Sequence, residues 1–175
     1  MLIKNAHIVN HDKSFISDIL VRAGIIESIS ESISLPGEEI IDAKGYYVFP
    51  GGIDVHTHFE LPVGSTVSSD DFRSGTKAAI SGGTTTIIDF TTPGRGESLL
   101  SSLEERLELA EKSLCDYSLH IGVTYFGENT HNEILECVKR GFPSFKIYMA
   151  YKDSIGLKDE DIRKVIEAVE KAGGT

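Results

Sequence analysis

The chain has 175 residues, 40% of them apolar, which is enough for one globular domain or one domain with a small appendage. A formal charge of −10 excludes nucleic acid and anionic membrane surfaces as partners, because both demand a basic face. The excess acid falls mainly in two helix-like stretches, Glu97–Glu111 and Lys158–Lys171, and reads as solvated helix faces.

The opening MLIKNAHIVN carries no signal arrangement, and no run approaches the ~18 apolar residues of a membrane span. Cys115 and Cys137 both fall in helical patterns. A reduced, soluble, cytoplasmic protein with two core thiols and no disulfide is therefore expected.

Residues 1–50 form a β-rich segment. Leu2–Val9 alternates apolar and polar residues, and His11-Asp12-Lys13 makes a turn. Asp18–Val21, Ile25–Ile29, Glu38–Asp42 and Tyr46–Phe49 follow as short strands. Pro50-Gly51-Gly52 then breaks the pattern. From 51 to 175 strands and helices alternate: strands over Ile53–His58, Thr84–Phe90, Tyr117–Phe126 and Ser144–Ala150, and helices over Asp70–Ser81, Ser98–Cys115, Asn132–Arg140 and Asp159–Ala172. In the second helix Leu99, Leu103, Leu107 and Leu114 lie near one face.

About four βα units in succession predict an α/β fold with a parallel sheet. A closed (β/α)8 barrel needs eight such units and about 250 residues, so the chain reads as half a TIM-type barrel, with a lead-in to a fifth strand at its end. A doubly wound open sheet is the competing architecture, but no GxGxxG or P-loop occupies the first βα connection.

The chemistry concentrates at GGIDVHTH, Gly51–His58. On a strand, residues two apart share a face, so His56 and His58 project together with Asp54 while Ile53, Val55 and Thr57 turn toward covering helices. Two such imidazoles can converge on a zinc, nickel, iron or manganese-type cation. An HxH pair taken alone reads more readily as a structural pair than as a site; its place at the end of the first barrel-type strand is what points to a site.

In SFKIYMA, Phe145, Ile147 and Met149 share the helix-packing face, which aims Lys146 and Tyr148 inward. A buried ammonium must be paired, neutral or chemically altered. Pairing to Asp54 or Asp89, snorkelling past the strand end, and conversion to an anionic carbamate all remain open at this level. Asp54 and Asp89 read as hydrogen-bonded supports and His120 as a satisfied core histidine. His7, His11 and His131 lie in peripheral contexts.

Three motifs in order, GGIDVHTH, LPVGSTVSSDDFRSGTKAAISGGTTTIIDF at Leu61–Phe90 and SFKIYMAYKD at Ser144–Asp153, resemble the hydantoinase/dihydropyrimidinase branch of the amidohydrolase superfamily. The likeness extends over the N-terminal strands, which in that family form part of a composite β-sandwich. It implies that His56 and His58 bind the more buried of two divalent metal ions, zinc foremost. It also implies that CO2 carbamylates Lys146, which then bridges the two ions. Tyr151 matches a tyrosine that binds substrate and stabilises the oxyanion. Leu61, with Pro62, Val63 and Tyr148, is placed to line the substrate side-chain pocket.

The implied reaction is attack of metal-bound hydroxide on a cyclic amide carbonyl, opening a dihydropyrimidine or hydantoin ring to an N-carbamoyl amino acid. The implied partners are that small-molecule substrate and, for the full-length protein, three further copies in a homotetramer. Dihydroorotase-like and allantoinase-like enzymes are the neighbouring alternatives. The former carry an arginine soon after HxH, whereas Phe59-Glu60-Leu61 stands here, and Glu60 would repel a substrate carboxylate. Scaffold proteins related to dihydropyrimidinase are a second alternative; they lack the ligand set. Family enzymes draw two more histidines and an aspartate from later strands. The chain is accordingly expected to be a fragment that is inactive alone.

Overall fold

The structure, a computed structural model, describes residues 1–63 and 65–175. Gly64 and the side chain of Val63, part of the apolar loop expected to face substrate, lie outside the described residues. The chain divides into two compact units, Met1–Gly51 and Gly52–Thr175.

The first unit holds β1 (Leu2–Val9), β2 (Ser14–Arg22), β3 (Ile25–Ser30), β4 (Ile40–Asp42) and β5 (Tyr47–Val48). They form one sheet in the order β3-β2-β1-β4, with β5 also paired to β1. β1, β2 and β3 pair antiparallel, while β4 and β5 lie parallel to β1. β2 is longer than its apolar run because polar Ser14 and Ser17 still pair with β1. Ala6, Ile8, Ile19 and Ala43 form the core of this unit. Ile16, Ile29, Ile40 and Ile41 stay exposed.

The second unit holds β6 (Gly52–Asp54), β7 (Pro62–Val63), β8 (Thr66–Val67), α1 (Phe72–Ser81) and β9 (Thr84–Thr91). It continues with α2 (Leu99–Ala110), β10 (Asp116–Val123), α3 (Thr130–Lys139), β11 (Phe145–Ile147) and α4 (Asp159–Ala172). β6, β9, β10 and β11 pair parallel and lie in chain order. A doubly wound sheet reverses its strand order at a switch point. Here each strand lies beside its predecessor, the order of a barrel wall. The fold is thus mixed α/β, a parallel half-barrel sheet with a separate β-rich sheet.

Local chemistry explains the helix ends. Asp71 and Ser74 form a capping box at the start of α1, and Ser98 caps α2 through the Ser101 amide. Asp159, Glu160 and Asp161 fill the first turn of α4, where the helix dipole favours anions, and Gly173 closes it with φ of 79°. α2 stops at Ala110, five residues short of the expected end, which leaves Leu114 exposed beyond the helix.

Leu119, Ile121 and Val123 of β10 pack against Leu99, Leu103, Ile134, Cys137, Val165 and Val169 of the helices. Phe145 and Ile147 join the edge of this core. Each such side chain, fully buried, contributes roughly 1.5–3 kcal/mol. Met149 does not join it: the strand ends at Ile147, and Met149 is exposed. Cys137 is a core thiol, but Cys115 is only half-buried; both are free. Among the described residues no helix is long and apolar enough to cross a membrane.

Candidate metal centre

β6 is shorter than its sequence suggests. The ladder ends at Asp54, whose Oδ1 accepts from the His56 amide at 3.1 Å, and both histidines lie in the irregular segment beyond. Ile53 and Val55, expected under helices, are 64% and 56% exposed, because β6 is an edge strand that no described helix covers. The alternation of side-chain direction nevertheless persists past the ladder. The Thr57 amide donates to the Ile88 carbonyl at 3.2 Å, and its hydroxyl reaches Asp89 Oδ2 at 3.0 Å. His56 and His58 turn the other way, toward Phe90.

Phe90 organises the centre. β9 buries Ile87 and Asp89 toward the helices, so Phe90 faces the opposite side, in register with His120 of β10. The rings of His56, His58 and His120 stand 4.7, 4.9 and 4.7 Å from the Phe90 centroid. Nε2 of His56 and Nε2 of His58 approach to 3.1 Å. Burial holds the His58 imidazole below its usual pKa; Asp89 opposes this, and His56, Arg106 and Lys146 reinforce it. A neutral imidazole is the form that ligates metal.

Lys146, in the middle of β11, extends over the same ring, with Nζ 6.0 Å from the Phe90 centroid and 5.7 Å from that of Tyr148. Neither aspartate suggested for it is its partner. Asp54 bonds the His56 amide and Asp89 is taken by Arg106. Among the described residues Lys146 has no carboxylate partner. It shares an open cavity of about 240 Å3 with Val55, His56, Phe90 and His120. Two converging imidazole nitrogens suit a divalent cation, and the Lys146 side chain could join them only after losing its positive charge. Among the described residues no three His, Cys, Asp or Glu side chains gather at one point, so Lys146 is the group that would extend the pair.

His120 is satisfied at both nitrogens, by Ser144 Oγ at 2.6 Å from Nδ1 and the Val55 carbonyl at 3.0 Å from Nε2. A carbonyl only accepts, so the proton sits on Nε2 and Nδ1 accepts from the serine hydroxyl. This histidine therefore holds the segment leading into His56.

Tyr151 stands apart from the histidines, 71% exposed on the turn after β11, with φ of 60°. It shares an open cavity of about 360 Å3 with Lys146 and Tyr148. Its turn is tied down from the β9–α2 loop: Arg95 donates to the carbonyls of Lys152, Ser154 and Gly156 at 3.0, 3.3 and 2.9 Å. Leu61, its amide held by Ser68 Oγ at 2.9 Å, lines a third cavity of about 210 Å3 with Pro62, Phe90 and Arg106. Glu60 Oε1 lies 3.6 Å from Lys112 Nζ.

Sequence reasoning missed Phe90, Arg95 and Arg106. For Arg106 a signal existed: it recurs with Leu99, Leu103 and Ala110 at helical spacing, a charge on the buried stripe of α2. Phe90 and Arg95 carry no such signal, because their importance comes from strands and loops remote in sequence.

Comparison with known proteins agrees with this architecture. The Amidohydrolase family pattern matches residues 47–175. The dihydropyrimidinase of Dictyostelium discoideum is 47% identical over 176 residues, covering 99% of this chain and 35% of that protein. The D-hydantoinase of Geobacillus stearothermophilus is 41% identical over 174 residues, covering 98% and 37%. A crystal structure of a D-hydantoinase superposes with a TM-score of 0.95 at 39% identity, covering 99% of this chain and 38% of that one. The chain thus spans about a third of the length of the curated relatives it matches. With its family pattern, parallel half-barrel and paired histidines all in agreement, the chain belongs to the amidohydrolase family.

Proposed function

We propose that this chain supplies one side of the active site of a metal-dependent cyclic amidohydrolase that opens dihydropyrimidine or hydantoin rings to N-carbamoyl amino acids. The observation that carries the reading is the convergence of His56 Nε2 and His58 Nε2 at 3.1 Å beside the unpaired amine of Lys146. The names of the matched relatives, dihydropyrimidinase and D-hydantoinase, support the substrate class.

In this reading His56 and His58 hold one of two divalent cations, zinc foremost, through their Nε2 atoms. The neutral Lys146 amine would add CO2, an N–C bond forming as a proton leaves to solvent, and the resulting anionic carbamate would help His56 and His58 hold the cations. Held there, divalent cations would supply Lewis-acid chemistry that lowers the pKa of water toward neutrality. Tyr151 donates its hydroxyl to the oxygen on which charge develops as the ring carbonyl is attacked. Leu61 forms part of the apolar wall that receives the ring substituent. The chain matches 35% and 37% of the length of these two relatives, and the remaining ligands would come from the portion it does not match.

The same reading makes residues 1–50 part of a composite sandwich, consistent with the exposed Ile16, Ile29, Ile40 and Ile41, and residues 51–175 about four units of an eight-unit barrel. It places the protein in the cytoplasm, where free thiols persist, and as a tetramer.

The test uses the protein as its gene encodes it, loaded with Zn2+ in bicarbonate buffer and assayed on dihydrouracil and hydantoin. Ring opening that vanishes with a chelator and returns with Zn2+ is expected. A protein that holds two zinc ions yet opens neither ring would defeat the proposal, and one that holds no zinc would favour a scaffold role. The 175-residue chain assayed alone is expected to be inactive.

A further inference from the structure

We infer that Asp89 and Arg106 form a buried positioning pair that aims His56 and His58, taking over the role of the strand ladder that ends before them. This rests on the reading of the two histidines as metal ligands.

The geometry begins at the His58–Phe59 peptide. Asp89 Oδ2 accepts from the Phe59 amide at 3.0 Å and from the Thr57 hydroxyl at 3.0 Å, so one carboxylate oxygen grips the chain on both sides of His58. Asp89 Oδ1 accepts from the Phe90 amide at 2.7 Å and from Arg106 Nε at 3.2 Å and Nη2 at 2.5 Å. The same Arg106 Nη2 donates to the Phe59 carbonyl. Phe59 is therefore held at its N–H by the acid and at its C=O by the base. Rotation of the His58–Phe59 peptide would break the first bond, and rotation of the Phe59–Glu60 peptide the second.

The pair is also held from behind. The Arg106 guanidinium lies 4.8 Å from the Phe72 ring centroid, and Phe72 is fully buried. Asp89 is 0% and Arg106 8% exposed. Removing two charges from water carries a desolvation cost that their attraction only partly offsets, so such a pair is a poor device for stability alone. It can be an effective one for geometry, because the guanidinium fork is rigid and engages two acceptors at fixed angles. The bond from Phe90, whose ring the histidines stack on, ties ring and ligands to one carboxylate. His56 and His58 face one side of the sheet, and the Asp89–Arg106 pair lies on the other.

A lysine cannot reproduce this arrangement, since a point charge cannot span Asp89 and the Phe59 carbonyl with planar geometry. Arg106→Lys is therefore expected to behave like Arg106→Gln. Thr57→Val removes a single hydroxyl bond and leaves the ion pair intact.

The experiment uses the protein as its gene encodes it, with Co2+ as the probe. In metal-free protein, Arg106→Gln is expected to speed hydrogen exchange at the Phe59 amide while leaving the Ile121 amide of β10 unchanged. Its Co2+ affinity is expected to fall about 10–100-fold, the usual loss when the support of a ligand is removed, with a changed d–d absorption band. If Arg106→Gln does not fold, Thr57→Val decides: roughly tenfold weaker Co2+ binding at an unchanged melting temperature supports the pair. Wild-type Co2+ affinity and band shape in either folded variant would overturn it. A wild-type protein that binds Co2+ but opens no ring would defeat the hydrolase reading, while the variants' loss of affinity would still support the positioning pair.

Discussion

The ring of Phe59 lies so close to Gly75 that a methyl carbon built on the glycine would stand 2.1 Å from ring carbon Cε1. Gly75 sits inside α1, where glycine costs about 1 kcal/mol relative to alanine. The exception is explained by the neighbour: Phe59 follows His58 directly and packs edge-on against Phe72 with centroids 5.4 Å apart. Helix α1 must present a bare α-carbon for that ring to fit. Gly75→Ala should raise helix propensity and still destabilise the protein, by about 1–3 kcal/mol for an overpacked core. A urea titration checks the sign; a stabilised variant would show that Phe59 moves freely.

Arg95 should govern the order of the turn that carries Tyr151. Its three carbonyl acceptors all lie between Lys152 and Gly156, and Gly156 is itself confined, since a Cβ there would meet the Ala150 carbonyl oxygen at 2.2 Å. Loss of these partly exposed bonds in Arg95→Ala is worth about 1 kcal/mol, or roughly a fivefold rise in the open turn. Limited proteolysis within Ala150–Gly156 should accelerate accordingly. If turnover is established, kcat should fall while metal content stays constant. Unchanged proteolysis would mean that the turn holds itself.

Asp18 should make the first unit acid-sensitive. The Lys4 ammonium, 2.7 Å away, holds its carboxyl down to about 2 against the opposing effect of burial, with help from the amides of Ile33 and Asn5. A carboxyl depressed in the folded state stabilises the fold above its unfolded pKa, near 3.8. That contribution is lost as the pH falls from there toward 2. Melting curves of wild type and Asp18→Asn should therefore differ most at neutral pH, draw together below pH 4 and converge only as the pH approaches 2. Parallel curves across that window would refute the assignment.

The two thiols should react differently. Burial, reinforced by Glu133, pushes the Cys137 thiol up to about 11, and its side chain is sealed in the core, whereas Cys115 is half-buried. A disulfide reagent at pH 8 should label Cys115 alone in native protein and both residues in urea. Equal rates under native conditions would show that α3 opens readily.

What the sequence determined by itself was local. Leu2–Val9 and Asp159–Ala172 are legible to the residue: the helix has a 3.6-residue period and chemistry that marks its ends, and the strand alternates despite a register shift between Ile3 and Ala6. The alternation of parallel strands and helices, the shared direction of His56 and His58, and the inward aim of Lys146 follow from the same periodicities. The motifs were enough to suggest a family.

What tertiary structure alone decided is how those groups are held. No period announces that β6 ends at Asp54, because strand length depends on which partners remain to pair. Phe90 becomes the platform for three histidines only once β9 lies beside β10 and the segment after β6. Asp89 finds Arg106 seventeen residues away and Thr57 thirty-two away because strand and helix directions converge there. A side chain's direction is a property of its own backbone, whereas its partners are set by contacts remote in sequence. The histidine pair could therefore be read from eight residues, and the buried ion pair behind it could not.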